Sequence, residues 1–255
     1  MKNPSMEVLG SKVAAVTLSF WLMKIAATTL GETAGDLLSI TLNLGYAVSS
    51  ALLVAAFIAL LTLQLSARRF HPVLFWSVVL ATSTAGTTMS DLLDRTLGLG
   101  YAMGSTLLAT CLALVLLAWR KSERSISVSD IGSRRAEVFY WTAVLFSNTL
   151  GTALGDFLAD DSGLGFVGGA ALIGILILAT ALATRIRNAN KVILFWIAFV
   201  LTRPFGATFG DLLTKPLEKG GLDFGTMGSS LILFTILACL VSLSMLQRHT
   251  TENAR

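Results

Sequence analysis

Four stretches of this chain align without gaps, and an internal repeat of that kind limits the fold more than any single motif. They begin at Phe20, Phe75, Tyr140 and Phe195 and read FWLMKIAATTLGETAGDLL, FWSVVLATSTAGTTMSDLL, YWTAVLFSNTLGTALGDFL and FWIAFVLTRPFGATFGDLL. In each copy a Trp (Trp21, Trp76, Trp141, Trp196) precedes a Gly (Gly31, Gly86, Gly151, Gly206) by ten residues and an Asp (Asp36, Asp91, Asp156, Asp211) by fifteen. Nine residues after the Asp, Gly45-Tyr46, Gly100-Tyr101 and Gly165-Phe166 open a second apolar run. In the fourth copy three extra residues intervene, and Asp223, before Phe224, takes the place of that Gly.

The chain around these motifs is too apolar for water. Hydrophobic residues make up 54% of the 255 and charged residues only 13%, where soluble domains carry about 25% charged. Mean hydropathy is +0.75. Each repeat supplies two runs close to the ~20 residues with which an α-helix crosses a ~30 Å hydrocarbon core. The first runs cover 13–38, 72–93, 138–158 and 192–213, and the second 45–66, 100–119, 165–184 and 224–246. Eight transmembrane helices are expected, in repeats 13–66, 72–119, 138–184 and 192–246 of a single membrane domain, 1–255. A β-barrel would instead show alternating segments of about ten residues. No small-residue cleavage site follows the first apolar stretch, so the N-terminal segment reads as retained.

Fourteen of the nineteen Lys and Arg residues lie in the termini or between repeats, among them Arg68, Arg69, Arg120, Lys121, Arg134, Arg135, Arg185, Arg187 and Lys191. Loops inside repeats hold Arg95, Lys215 and Lys219. The positive-inside rule then puts both termini and the inter-repeat connectors in the cytoplasm, for a multi-pass protein of a bacterial inner membrane. A two-helix unit returns to the side where it began, so all copies share one orientation, unlike the inverted repeats of many transporters. The expected fold class is an all-α polytopic bundle of four parallel helical hairpins with pseudo-fourfold or nested pseudo-twofold symmetry. First helices line the middle and second helices face lipid. Pairs of small residues, Gly31/Gly35, Gly151/Gly155, Gly206/Gly210 and, in the second copy, Gly86/Ser90, allow close backbone approach.

This Trp, Gly and Asp series resembles a bacterial membrane family known for a tandem "repeat of unknown function", with four copies of two transmembrane segments and a characteristic Trp. The resemblance covers about residues 13–246. It implies the architecture and no activity.

Stepping back from each Asp by four residues follows one helix face. That stripe holds Asp36, Glu32, Thr28 and Lys24; Asp91, Thr87 and Ser83; Asp156, Thr152 and Asn148; and Asp211 and Arg203, with Thr33 and Thr208 beside it. Ionisable groups inside membrane segments are costly and point to function. Four carboxylates around an axis would form an acidic ring, as in cation channels. With Glu32 they offer hard oxygen ligands for Mn²⁺, Mg²⁺ or Ca²⁺, or carry protons. Lys24 and Arg203 are the internal counter-charges, leaving the stripe at a formal −3. A cation, as a divalent metal or a proton, is thus the expected substrate of a small secondary transporter or channel. The alternative is a non-transporting structural or partner-binding membrane protein whose stripe only packs helices, with Lys24 and Arg203 locked in buried ion pairs. Pro204 is expected to kink its helix near Val200.

The four Trp read as interfacial belts or helix packing, and Tyr46, Tyr101, Phe166 and Phe224 as markers of the outer interface. Asp94, Asp160, Asp161, Glu218 and Asp223 read as solvated loop charges. Cys111 and Cys239 read as small buried hydrophobes, and His71 and His249 as connector residues. There is no G-x-S-x-G, H-E-x-x-H, Walker A or dinucleotide fingerprint, and connectors run at most about eighteen residues, so no enzyme and no cofactor are expected. The net charge of +4 reflects orientation, so nucleic acid is not an expected partner, whereas the lipid bilayer is. A homo-oligomer is left open.

Overall fold

The computed structural model describes residues 12–67 and 69–253, except the side chains of Asp130 and residues 248–253. Arg68, the stretch before Lys12 and the His249 side chain lie outside the described residues. The described residues form eight long helices: α1 (Leu18–Asp36), α2 (Gly45–Ser66), α3 (Pro72–Asp91), α4 (Tyr101–Glu123), α5 (Arg134–Asp156), α6 (Gly165–Ala183), α7 (Lys191–Thr214) and α8 (Thr226–Asn253). Their starts follow from local chemistry. The Thr17 hydroxyl accepts from Phe20 N–H, the Ser133 hydroxyl from Ala136 N–H, and the Asn190 side chain from Val192 and Ile193, while Pro72 occupies the first turn of α3. Helix α7 continues through Pro204 without a break.

Six of the eight are long and apolar enough to cross a membrane by themselves. The other two, α1 and α5, are less apolar because Thr, Ser, Asn and Gly interrupt their runs, and both stand inside the bundle, where neighbouring helices replace lipid. Packing explains how. Helices α1, α3, α5 and α7 touch in that order, and α7 closes back on α1. Around this ring, α2 packs on α3, α4 on α5, α6 on α7 and α8 on α1. The repeats are thus hairpins in connectivity but not in packing, because each second helix covers the first helix of the next copy. That handover makes the four copies interdependent and leaves the second helices facing outward, with Leu52, Leu114, Ile175 and Leu231 exposed.

Glycine sets the ring's diameter. A Cβ on Gly31 would strike Ser83, one on Gly86 the Asn148 backbone, one on Gly151 the Arg203 side chain, and one on Gly206 Thr28. The second small residues repeat the pattern, Gly35 meeting Thr87, Gly155 meeting Ala207 and Gly210 meeting Glu32. Each copy therefore offers its small residues to the stripe of the next, which is how helix backbones approach in lipid, where there is no hydrophobic drive to bring them together.

The turns correct one expectation. Asn43 and Gly45, Gly98 and Gly100, Gly163 and Gly165, and Asp223 and Gly225 all have positive φ. The amides of Leu44, Leu99 and Phe224 reach back to the carbonyls of Leu38, Leu93 and Leu213. The equivalent of Gly45 is therefore Gly225, and Asp223 corresponds to Asn43. The fourth copy has kept its glycine and gained five residues rather than three. They replace the single π-helical turn with which the other copies end, at Leu37–Thr41, Leu92–Thr96 and Phe157–Asp161. The cysteines, expected to be buried, are half-buried (Cys111) and exposed (Cys239), and both are free.

Gly151→Val is expected to destabilise the bundle by about 1–3 kcal/mol, the usual cost of overpacking. Gly132→Ala, at a site with open space, leaves stability unchanged. Thermal unfolding in detergent compares them, and equal melting of the two variants would contradict the glycine-set ring.

Candidate functional site

Residues four apart on the ring helices form layers from the turn end of the bundle toward the connector end. The outermost layer is Asp36, Asp91, Asp156 and Asp211, all buried. Two cations divide it into pairs. Lys215 Nζ lies 2.6 Å from Asp36 Oδ2 and 3.1 Å from Asp211 Oδ1. Arg95 Nε lies 3.0 Å from Asp91 Oδ1, and its Nη2 3.0 Å from Asp156 Oδ2. Both stand four residues after the Asp of their own copy, while Ile40 and Asp160 hold that place in the other two copies. The mouth is thus twofold, not fourfold. Burial works against the charge on Lys215, but Asp211 and Asp36 outweigh it and raise its pKa above the ordinary lysine value. Its ion pairs consequently persist as pH rises through that value.

The next layer holds Glu32, Thr87, Thr152 and Ala207. Arg203 reaches into it from one turn deeper, fully buried. Its Nη1 lies 2.9 Å from Glu32 Oε2, and its Nη2 donates to Thr87 Oγ1 at 2.5 Å and Thr152 Oγ1 at 2.6 Å. One guanidinium thereby ties together all four copies. In Arg203's own layer, Asn148 Nδ2 donates to Thr82 and Ser83, and Asn148 Oδ1 accepts from Lys24 Nζ at 3.1 Å. Thr28 instead sits in the α1–α7 contact, donating to the backbone of its own helix and to Thr202 O. Lys24 lies over the Phe199 ring, 4.2 Å from its centroid, and has no carboxylate within ion-pair range among the described residues. Below it the axis closes on a collar. Phe20 meets Trp76, Phe75 meets Trp141, Tyr140 meets Trp196 and Phe195 meets Trp21, each copy's leading aromatic touching the next copy's Trp.

The stripe therefore comes together in the interior, except for Thr28 in the α1–α7 contact and for Thr33 and Thr208. Thr33 and Thr208 face the second helices: Thr33 accepts from Ser230 of α8, and Thr208 bonds its own backbone beside Gly169 of α6. Asp94, expected in solvent, is buried, accepts from Ser90 and leans on Gly104. Of the two readings of the four Trp, helix packing fits three, Trp76, Trp141 and Trp196, which are buried in the collar. Arg95 and Lys215, which the sequence places in loops, join Arg203 as the bases that meet the five acids, while Lys24 meets none of them. The signal for them was a base four residues after the Asp in alternate copies.

Chemically, Glu32, Asp36 and Asp211 each offer a carboxylate oxygen within 4.8 Å of the others, a hard donor set. Asp91 and Asp156 are not part of it. Asp211 Oδ1 is buried and, despite its nearness to Lys215, makes no hydrogen bond among the described residues. A family model described as Repeat of Unknown Function (DUF347) matches residues 19–70, 74–125, 139–189 and 194–250. No curated protein and no solved structure matches the chain.

Breaking one side of a buried ion pair leaves an uncompensated charge and costs about 3–5 kcal/mol, whereas replacing both sides is often near neutral. Glu32→Gln and Arg203→Met should each lower stability by that amount, and the double variant should recover most of it. A double-mutant cycle by reversible unfolding in micelles checks this, and additive losses would contradict the pairing.

Proposed function

The chain belongs to the Repeat of Unknown Function family, and we propose that this member is a small secondary transporter for a cation, best suited to a hard divalent metal such as Mn²⁺ or Mg²⁺. The reading includes a non-enzymatic role in a bacterial inner membrane with both termini in the cytoplasm. One observation carries it: Glu32, Asp36 and Asp211 converge on the axis of a lipid-embedded ring, and the cations that meet them are side chains of the protein itself. Lys215 Nζ bridges two of the three acids, and Arg203 holds the third. They act as tethered stand-ins that a metal ion displaces. Lys215 withdraws toward the turn, and Arg203 falls back on Thr87, Thr152 and the Ser83 carbonyl, which it already contacts. A recurring use of intramembrane charges of this sort is an ion pathway.

The aromatic collar is the inner closure on this reading, and the paired Asp layer the outer one. A second reading, a structural bundle whose charges only lock the helices, is favoured by one fact: every acid of the axis already has a protein cation.

Flux assays in proteoliposomes separate the two. Transport predicts metal uptake by the wild type, its loss in Glu32→Gln and Asp36→Asn, and a lower half-saturating concentration in Lys215→Met, where the tethered competitor is gone. No flux for Mn²⁺, Mg²⁺, Ca²⁺ or H⁺ in folded wild type would overturn the transport reading in favour of the structural one.

A further inference from the structure

The fourfold pattern is broken on the outside of the bundle, where the small Ser244 of the fourth copy leaves a cleft of about 190 Å³ beside a buried Trp76 and the third copy leaves a groove twice that size. Counted from Gly45, Gly100, Gly165 and Gly225, the same position near the end of each second helix holds Gln64, Trp119, Thr184 and Ser244. In the second copy Trp119 fills the wedge beside the ring, edge-on to Trp196 at 5.8 Å and close to Tyr140. In the first copy Gln64 fills it and reaches Glu137. In the third copy the small Thr184 stands there, just past the end of α6. The Trp that it would cover, Trp21, is only half-buried, unlike its three counterparts. What results is a groove of about 390 Å³ between α1, α6 and α7, walled by Leu18, Trp21, Ile25, Ile177 and Phe195. Lys191 lines it at the connector end, and Arg185 and Arg187 follow in the adjoining connector.

We propose that this groove is a specific binding site for an anionic phospholipid. An acyl chain lies along Trp21 and Phe195, and the headgroup phosphate meets Lys191. The wall is apolar and open to the hydrocarbon, where an unfilled groove would forfeit contacts on one side. The charge at its end has the sign that attracts an anionic headgroup and repels none of the lipid's apolar part. The site rests on the broken repeat and on the basic rim, so it stands whether or not the bundle transports a cation.

Native mass spectrometry of the full chain, purified into detergent and mixed with phosphatidylglycerol or phosphatidylcholine, tests the assignment. Wild type should retain phosphatidylglycerol preferentially. Thr184→Trp, which copies the side chain that the second repeat already accommodates, should lose the bound lipid while melting at the wild-type temperature. Lys191→Gln should keep a bound lipid but lower the preference for phosphatidylglycerol about fivefold, the effect of one basic residue near an anionic surface. Equal retention of both lipids by the wild type, or undiminished retention by folded Thr184→Trp, would overturn the proposal. So would a wild type that holds only detergent in the groove.

Discussion

The Arg203–Glu32 pair is the constraint on which the rest of the structure depends. Both groups sit at the centre of a bundle whose outer surface faces hydrocarbon, where an unpaired charge is prohibitively costly. The pair is tolerable only if protein surrounds it on all sides, and that requires a closed ring of helices. A ring of four encloses the guanidinium when the backbones nearly touch, and the glycines opposite Ser83, Asn148, Arg203 and Thr28 supply that contact. Closure then requires α7 to meet α1, which the parallel orientation of the copies makes possible. The handover of each second helix to the next copy seals the outside, with α8 completing the circle on α1.

Much of this was legible in the sequence. Repeat spacing, helix count and the small-residue pairs all follow from residues a fixed number of positions apart, and such local regularity survives folding. The inward stripe was legible too, because polar residues on an otherwise apolar helix have few other places to go. What was not legible depended on three-dimensional partnership. Nothing in the repeat says that α2 leaves its own first helix for α3. The fourth turn is ambiguous in sequence because Asp223 looks like a replacement for a glycine, and its positive φ makes it the counterpart of Asn43. Arg95 and Lys215 were read through their position in loops, which hid the fact that a base four residues past an Asp can fold back over it.

The departures from fourfold symmetry are where the chemistry concentrates. Four copies of one sequence would give four equal Asp residues and no internal base. Here Lys24 and Glu32 occur only in the first copy, Arg203 only in the fourth, and the bridging bases only in the second and fourth. These changes turn a symmetric scaffold into one with a distinct carboxylate triad, Glu32, Asp36 and Asp211, and a separate, Arg95-bound pair, Asp91 and Asp156. These bases also bind the copies to one another, Arg203 across all four and Arg95 and Lys215 in pairs; on the proposed reading, a cation that exchanges with Lys215 and Arg203 gives the distinction a second use.

Infrared difference spectroscopy on the detergent-solubilised protein tests that exchange most directly, because carboxylate stretching bands respond to the cation they face. Adding Mn²⁺ should shift these bands, the shift should vanish in Glu32→Gln, and Lys215→Met should show it at lower metal concentration. Spectra of the wild type that are identical with and without the metal would contradict the account.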